Sequence, residues 1–426
     1  MLDFHWFLPT YGDSRDIVGR GHGLPAGAAG GDRPAPLEYL TQVSTAAEQM
    51  GFRGALVPTG AWCEDAWVTT AMLVQSTRRL RFLSAFRPGL MGPTLSAQMA
   101  ATFQWQSQGR LLLNVVIGGE AHEQRACGDV LDKDARYERC DEFLTIVRRV
   151  WEGSGPVSFE GRHLSVEEAT LQRRPDPTPP LYFGGSSPAA GPVAARHADV
   201  YLTWGEPVPA VAEKLAWIRR IAKDLGRPMR FGIRPHVISR DTSEAAWAGA
   251  QRLLDRLDPQ TVARVQADLR RTESEGQRRM LDLHHGSSDG LIVAPNLWAG
   301  VGLGRGGAGT ALVGSHIEVG DRIEEYADLG ISEFVFSGYP HLEEAYWFGD
   351  GGAADPARPR TVEPSRKAAD RPPVDRGARG GRGDGAVRRG MGRNARPGPG
   401  PHRRPASQVM VPAEDGQGYA LAVPPR

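Results

Sequence analysis

Short apolar runs recur along roughly the first 340 residues of the chain, and most of them lack strict alternation between apolar and polar positions. Near-continuous apolarity of this kind is typical of strands that are buried on both faces of a parallel sheet. The runs predict eight strands: Phe4–Leu8, Gly54–Val57, Arg81–Phe86, Leu111–Ile117, Leu181–Gly184, Ala198–Thr203, Arg230–Ile238 and Phe334–Ser337.

Helical spacing of apolar residues separates these strands. Leu37, Leu40 and Ala47 fall on one face of a helix, and Gly51 provides a stop signal after it. Similar patterns predict helices over residues 94–108, 136–151 and 211–225. Strands that alternate with helices eight times predict a (β/α)8 TIM barrel of the α/β class.

Two stretches interrupt this alternation. Residues 156–175 predict a small hairpin between the fourth and fifth strands, and an insertion of about residues 240–315 separates the seventh strand from the eighth. The insertion ends in the glycine-rich segment Asn296–Gly314. Because so much glycine disfavours a stable helix or strand, we predict a mobile lid that carries Arg305 over an active site.

The composition changes abruptly after Phe348. Residues 350–426 are dense in Arg, Gly, Pro and Ala and contain one tyrosine and one leucine, which is too little apolar surface for a core. We therefore predict one catalytic domain over residues 1–348 and a disordered tail over 349–426, with a shifted reading frame as one explanation of the tail. A basic nucleic-acid-binding tail is disfavoured because stacking aromatic residues are nearly absent.

Charge and cysteine content narrow the class of protein. Lys+Arg total 51 and Asp+Glu total 50, so the formal charge of +1 argues against a nucleic-acid or membrane-surface protein. The three cysteines form no C-x-x-C pair, which indicates a reducing compartment. With no signal peptide and no apolar run of membrane-spanning length, a cytoplasmic protein is expected.

Several polar residues lie where predicted strands end, which is where a barrel collects reactive groups. Cys63 has two acidic neighbours that disfavour a thiolate, so it is either a structural cysteine or a ligand neighbour rather than a nucleophile. Asn114 lies within an apolar strand and needs a partner in the core or in a ligand. Ser186 and Ser187 follow two glycines and precede a helix, which suits either a phosphate cradle or a tight turn.

The last two strands carry the candidate anion-binding groups. Arg234 and His236 are spaced for one face of the seventh strand, and Tyr339 and His341 follow the eighth. An inward-facing arginine is costly unless it meets an anion, or a carboxylate in a structural ion pair. Together with Arg305 these residues would place two cations and two proton donors around one opening.

Two sequence patterns suggest a nucleotide site and a metal site, and both interpretations are rejected. Gly304–Gly309 matches G-x-G-x-x-G but does not open a βαβ unit, so a dinucleotide-binding fold is rejected. His284 and His285 have no third ligand at a metal-binding spacing and are predicted to form a surface pair.

The chain resembles the flavin-dependent alkanesulfonate monooxygenases of the bacterial-luciferase-like superfamily. The motifs that carry this resemblance are Trp6–Asp13, Pro58–Trp67, Tyr182–Ser187, Tyr201–Pro207, Phe231–Ile238, Asn296–Gly314 and Ser337–Glu344. The resemblance implies a two-component enzyme without a metal, in which a separate NAD(P)H-dependent FMN reductase supplies reduced FMN. Dioxygen and an alkanesulfonate are the other substrates, the products are an aldehyde and sulfite, and a homo-oligomer is expected.

The resemblance also assigns roles to individual residues. It places the sulfonate and the oxygen chemistry among the catalytic residues Arg305, Arg234, His236, Tyr339 and His341. It implies that the flavin contacts the cofactor-binding residues Cys63, Asn114, Tyr137, Ser186, Ser187 and Trp204, with the phosphate group at Tyr137 and the two serines.

The sequence departs from the pattern of the sulfonate enzymes at several points. Tyr11 stands where those enzymes usually carry histidine, and Ile117 replaces a commonly polar residue near the flavin. The glycine-rich insertion Gly19–Gly31 and the altered C-terminus are further departures. The alternatives are therefore a related flavin monooxygenase acting on a sulfone or alkane, and a non-catalytic flavin-binding barrel inactivated by its C-terminus.

Overall fold

Eight parallel strands close into a barrel in the computed structural model, which describes residues 2–17 and 32–351. The barrel strands are β1 (Asp3–Phe7), β2 (Gly54–Val57), β3 (Arg81–Phe86), β4 (Leu111–Val115), β7 (Leu181–Phe183), β8 (Val200–Trp204), β9 (Arg230–Arg234) and β14 (Ile331–Phe336). Their order around the barrel is β1-β14-β9-β8-β7-β4-β3-β2. The predicted (β/α)8 fold is confirmed.

Helices surround the barrel, and several of them bury an apolar stripe against it. The helices are α1 (Leu37–Gln49), α2 (Ala66–Leu73), α3 (Pro93–Ser107), α4 (Ala121–Ala126), α5 (Lys133–Glu152), α6 (Ala190–His197), α7 (Val208–Asp224), α8 (Ser243–Asp255), α9 (Pro259–Leu269), α10 (Glu275–Leu281), α11 (Val301–Gly304), α12 (His316–Asp328) and α13 (His341–Asp350), with a short 3-10 helix at Val74–Ser76. In α7, for example, Val211, Leu215, Ile218 and Ala222 are buried at helical spacing. No helix within residues 2–17 and 32–351 is long and apolar enough to cross a membrane.

The predicted seventh strand is two strands that belong to different sheets. β9 ends at Arg234, and after Pro235 the strand β10 (His236–Arg240) pairs with β13 (Ala311–Ser315) instead of with the barrel. Proline donates no backbone hydrogen bond and therefore marks a break in a ladder. The second sheet has the order β10-β13-β12-β11, with β11 at Ile292–Ala294 and β12 at Leu297–Trp298.

The interruptions lie close to where they are expected. The hairpin consists of β5 (Val157–Glu160) and β6 (Ser165–Ala169). The insertion holds β10 to β13 and α8 to α11, so it begins at His236, a few residues earlier than predicted. The stretch Gly19–Gly31 and the predicted disordered tail beyond residue 351 lie outside the described residues.

The glycine-rich segment Asn296–Gly314 is packed into the molecule. It contributes β12, α11 and most of β13, so the expectation that its glycines exclude helix and strand is wrong. A Cβ atom at Gly309 would lie 3.0 Å from the Cα of Gly302, and the N–H of Gly302 donates to the carbonyl oxygen of Gly309 at 2.9 Å. These glycines allow two backbone segments to touch. The mobility of the segment stays a prediction.

Candidate functional site

A cleft opens at the C-terminal ends of β4, β7, β8 and β9. It encloses about 1090 Å³ of empty space, part of which is open solvent. Six of the predicted site residues line this cleft: Asn114, Tyr137, Ser186, Ser187, Trp204 and Arg234. The barrel thus brings together residues that lie more than a hundred positions apart in the chain.

One end of the cleft is a set of converging hydrogen-bond donors between β7 and α6. Within the described residues, the backbone N–H groups of Ser186 and Ser187 donate to no protein acceptor, and the hydroxyl of Tyr137 lies close to the side chain of Ser187. A Cβ at Gly185 would lie 2.6 Å from the Cβ of Ala190, so the turn is too tight for a side chain there. Unsatisfied N–H groups and hydroxyls at the start of a helix suit a phosphate group.

The opposite wall of the cleft comes partly from the insertion. Ser274, Glu275, Gly276 and Gln277, at the start of α10, line the cleft. A Cβ at Gly276 would lie 3.3 Å from the ring of Trp204. Gln277 accepts a hydrogen bond from the N–H of Gly307 at 2.8 Å, which ties this wall to the glycine-rich segment. The sequence patterns give no signal for these residues.

Arg305 lies at the centre of a buried polar cluster next to the cleft. Only 1% of it is exposed, and its guanidinium donates to the hydroxyls of Tyr11 at 3.0 Å and Tyr339 at 2.8 Å. It also donates to the carbonyl oxygen of Gly306 at 3.1 Å. Burial alone lowers the pKa of Arg305, but the two tyrosine hydroxyls hold it above its ordinary value. Arg305 is therefore a permanent cation.

Arg234 joins this cluster to the cleft, because it lines the cleft while its guanidinium lies 4.6 Å from the centre of the Phe7 ring. The Nε atom of its guanidinium is buried and has no hydrogen-bond partner among the described residues. Burial lowers the pKa of Arg234 to about 9, and the charge of Arg305 acts in the same direction. Two neighbouring buried cations without a paired carboxylate form a site of positive potential.

Both ring nitrogens of His236 have hydrogen-bond partners. Its Nε2 lies 3.2 Å from the carbonyl oxygen of Ala308, and its Nδ1 lies 2.9 Å from the hydroxyl of Ser337. Burial holds the pKa of His236 well below its ordinary value, and the charge of Arg305 adds to this effect. A neutral ring that donates from Nε2 to the carbonyl and accepts at Nδ1 satisfies both contacts. Its ring stacks on Tyr339 with a centroid separation of 5.6 Å.

His341 has one engaged ring nitrogen and one without a partner. Its Nδ1 lies 2.8 Å from Oδ1 of Asp13, whereas its buried Nε2 meets no hydrogen-bond partner among the described residues. The ring lies edge-on to Tyr339 at 5.2 Å and near Phe7 at 5.6 Å. The structure therefore places His341 in the same cluster as Arg305.

Cys63 lies apart from the residues that line the cleft. Its Sγ is 3.5 Å from the carbonyl oxygen of Gly60, and its neighbours are Thr10, Arg87 and Glu123. Burial raises the pKa of Cys63 to about 12, so the thiol stays protonated and is not a nucleophile at neutral pH.

Several other residues differ from the sequence-based expectation. His284 is buried against Gly302, so the prediction of a surface histidine pair is wrong. Tyr201 and the ion pair between Lys214 and Glu206 line the cleft but were not predicted. Asp13 belongs to a recognisable motif, yet nothing in its local pattern indicates a partner 328 residues away.

The chain is similar to a known protein family and to several solved structures. Residues 3–333 match the family described as luciferase-like monooxygenase. Similar solved structures include riboflavin lyase with modified FMN and riboflavin (22% identical, 80% of this chain and 88% of that chain covered, TM-score 0.64). Two others are a long-chain alkane monooxygenase (18%, 82% and 90%, 0.64) and EDTA monooxygenase from Chelativorans sp. BNC1 (18%, 83% and 92%, 0.63). At these identities the structural likeness shows the fold alone.

Proposed function

The chain belongs to the luciferase-like monooxygenase family, and we propose that it is an alkanesulfonate monooxygenase that uses reduced FMN and dioxygen. In this reaction one oxygen atom enters the aldehyde and the other leaves as water, while the carbon–sulfur bond breaks and sulfite is released. Reduced FMN supplies the two electrons and would come from a separate NAD(P)H-dependent reductase.

The pairing of Arg234 with Arg305 carries this proposal. Both residues are at least nine-tenths buried, and within residues 2–17 and 32–351 neither is found in an ion pair with a carboxylate. Buried charges are stable only when an opposite charge or a set of hydrogen bonds compensates them. A sulfonate offers three acceptor oxygens and one negative charge, which matches two guanidinium groups. The hydrophobic rings of Phe7 and Tyr11 beside Arg305 suit the alkyl chain.

The residues that line the cleft have the chemical groups that binding of FMN would require. The unsatisfied N–H groups of Ser186 and Ser187 and the hydroxyl of Tyr137 would hold the phosphate group. Asn114 and Trp204 line the same cleft, and we assign them to the flavin ring. Bound there, reduced FMN would supply the oxygen chemistry, while the protein would exclude water and orient the substrate.

Tyr11 favours a second candidate within the same family. Because its hydroxyl already accepts a hydrogen bond from Arg305, part of the capacity of Arg305 for an anion is used. A less charged substrate, such as a sulfone or an alkane, would then be preferred. Similar structures carry the names of a long-chain alkane monooxygenase and of an EDTA monooxygenase, and the fold is therefore compatible with uncharged and with anionic substrates.

A substrate panel separates these candidates. The protein is combined with FMN, NADPH and a flavin reductase, and is then supplied in parallel with alkanesulfonates, dialkyl sulfones and alkanes of matched chain length. The proposal predicts sulfite and aldehyde from the sulfonates. Product from the sulfones or alkanes alone would support the second candidate. No product from any class, although reduced FMN binds, would identify a non-catalytic flavin-binding barrel.

A further inference from the structure

The carboxylate of Asp13 is completely buried and accepts four hydrogen bonds. Its Oδ2 accepts from the hydroxyl of Tyr39 and from the backbone N–H of His341 at 2.7 Å. Its Oδ1 accepts from the N–H of Ser14 at 2.9 Å and lies 2.8 Å from Nδ1 of His341. Two contacts to the same histidine, one from its backbone and one from its ring, fix the orientation of the imidazole relative to Asp13.

Tyr39 connects this pair to the surface of the protein. Its hydroxyl, which donates to Asp13, accepts from the guanidinium of Arg33 at 3.0 Å. Arg33 also forms two hydrogen bonds with the carboxylate of Glu343, at 2.9 and 2.8 Å. Arg33 and Glu343 are about one-third exposed, whereas Asp13 and His341 are fully buried. The contacts therefore form one continuous line from solvent to the histidine ring.

The inner end of this line is the Nε2 atom of His341. That atom is buried and has no hydrogen-bond partner in the described part of the chain. A buried ring nitrogen without a partner costs free energy unless a ligand or a transferred proton uses it. Tyr339 and Phe7 contact both this ring and Arg305, so Nε2 belongs to the proposed substrate site.

We propose that Asp13 and Tyr39 are positioning residues that direct the Nδ1–H of His341 to Asp13 and leave Nε2 to accept and return a proton during the reaction. Asp13 provides the negative charge that stabilises the imidazolium form, and Tyr39 moderates that charge by donating to it. The inference rests on the proposed function, because it assumes that a reaction takes place beside Arg305.

The charges around His341 explain why Asp13 is needed. The titratable groups beside the ring are Asp13, Tyr339 and His236. Arg305 donates to Tyr339, and Arg234 is its charged neighbour. The two arginines oppose a further positive charge, and Asp13 is the carboxylate in contact with the ring. Burial alone raises the pKa of Asp13, but His341 and Tyr39 hold it below its ordinary value, so Asp13 is ionised at neutral pH.

Two variants should move the titration of His341 in opposite directions. Asp13→Asn removes the charge that favours imidazolium, so the ring should lose its proton at a pH lower by about 1 unit or more. Tyr39→Phe removes a donor to Asp13 and leaves more negative charge for the ring. The ring should then lose its proton at a pH higher by about half a unit.

The titration is followed by NMR in the full-length, cofactor-free protein with ¹⁵N-labelled histidine. The chain has 11 histidines, and the signal that disappears in His341→Gln identifies the ring. Tyr326→Phe is the matched control, because it also removes a buried hydroxyl, one that donates to the carbonyl oxygen of Glu206 at 2.7 Å. This control should leave the His341 titration in place.

Opposite shifts in the two variants, with none in the control, support the proposal. Shifts in the same direction, or no shift in either variant, overturn it. If Asp13→Asn does not fold, an upward shift in Tyr39→Phe supports the proposal and an unchanged titration overturns it. The pH–rate profile of turnover should move with the NMR midpoint. Since the NMR readout needs no substrate, a failed substrate panel counts against the proposed function and not against the positioning role.

Discussion

The hydroxyl of Tyr11 accepts a hydrogen bond from the guanidinium of Arg305 at 3.0 Å, between residues that are 294 positions apart. Tyr11 follows the first barrel strand, and Arg305 lies in the glycine-rich segment before the last one. The contact joins Tyr11, a position that departs from the pattern of the sulfonate enzymes, to the cation that we assign to the substrate. It therefore bears directly on substrate choice.

Replacing Tyr11 by Phe removes one acceptor of the buried Arg305. A hydrogen bond to a charged group contributes about 1.5–3 kcal/mol, so the free energy of unfolding should fall by about that amount. A bound alkanesulfonate would supply a new acceptor, and its stabilising effect should be larger in Tyr11→Phe than in the natural protein. Thermal unfolding with and without 1-octanesulfonate, with 1-octanol as the neutral control, measures this difference. Equal stabilisation of both proteins would show that the anion does not reach Arg305.

The residues of this site illustrate what can be predicted from sequence. Strand ends of the barrel are visible in the apolar runs, so Asn114, Ser186, Trp204 and Arg234 could be placed around one opening. The pairing of Asp13 with His341 and the position of Tyr39 depend on the closed barrel, which local patterns do not encode. They follow only once β1 and β14 are known to be neighbours.

Two predictions from the sequence differ from the structure, and each difference has a physical cause in particular residues. Pro235 interrupts an apolar run that predicts one strand, and it separates β9 from β10 because it cannot donate to a ladder. The glycine content of Asn296–Gly314, which includes Gly302 and Gly309, predicts flexibility. In the structure they permit close backbone contact. Composition alone does not distinguish these two uses of glycine.

Two glycine-to-alanine variants test whether glycine in this segment permits close backbone contact. In Gly309→Ala the new Cβ would lie 3.0 Å from the Cα of Gly302, and overpacking of this kind typically costs about 1–3 kcal/mol. Gly320, inside α12, has nothing within 4 Å of an added Cβ, so Gly320→Ala should raise the free energy of unfolding by about 0.5–1 kcal/mol. Chemical denaturation measures both. A neutral or stabilising Gly309→Ala would contradict the packing role.

The cysteines should differ in their reactivity towards an alkylating reagent. Because burial raises the pKa of Cys63 to about 12 and also raises that of Cys140, both remain thiols at pH 8. Cys127 is exposed. Iodoacetamide at pH 8 should therefore modify Cys127 first, and modification of Cys63 should increase as the pH is raised towards 12. Mass spectrometry of the digested protein locates the label. Rapid labelling of Cys63 at pH 8 would contradict its assignment as an inert thiol.

The phosphate site can be tested with two flavins that differ only in the phosphate group. Replacing Ser186 and Ser187 together by alanine should weaken the binding of reduced FMN about tenfold, since roughly 1.4 kcal/mol of hydrogen bonding is lost. Reduced riboflavin, which lacks the phosphate, should bind both proteins equally. Ser332→Ala, at the start of β14 and distant from the cleft, is the control. Equal weakening of both flavins would place the phosphate elsewhere.

The most direct test of the account is the affinity of the complex with reduced FMN for 1-octanesulfonate in the absence of oxygen. Isothermal titration calorimetry compares this ligand with methyl octyl sulfone, which has a similar shape but no charge, in the natural protein and in Arg305→Ala. Arg271→Ala, a surface arginine of the same insertion with a side chain that is 76% exposed, is the matched control. The account predicts that the sulfonate binds about 100-fold more tightly than the sulfone, and that this preference is lost in Arg305→Ala and kept in Arg271→Ala. Equal affinity for the two ligands, or a preference that survives in Arg305→Ala, would contradict it.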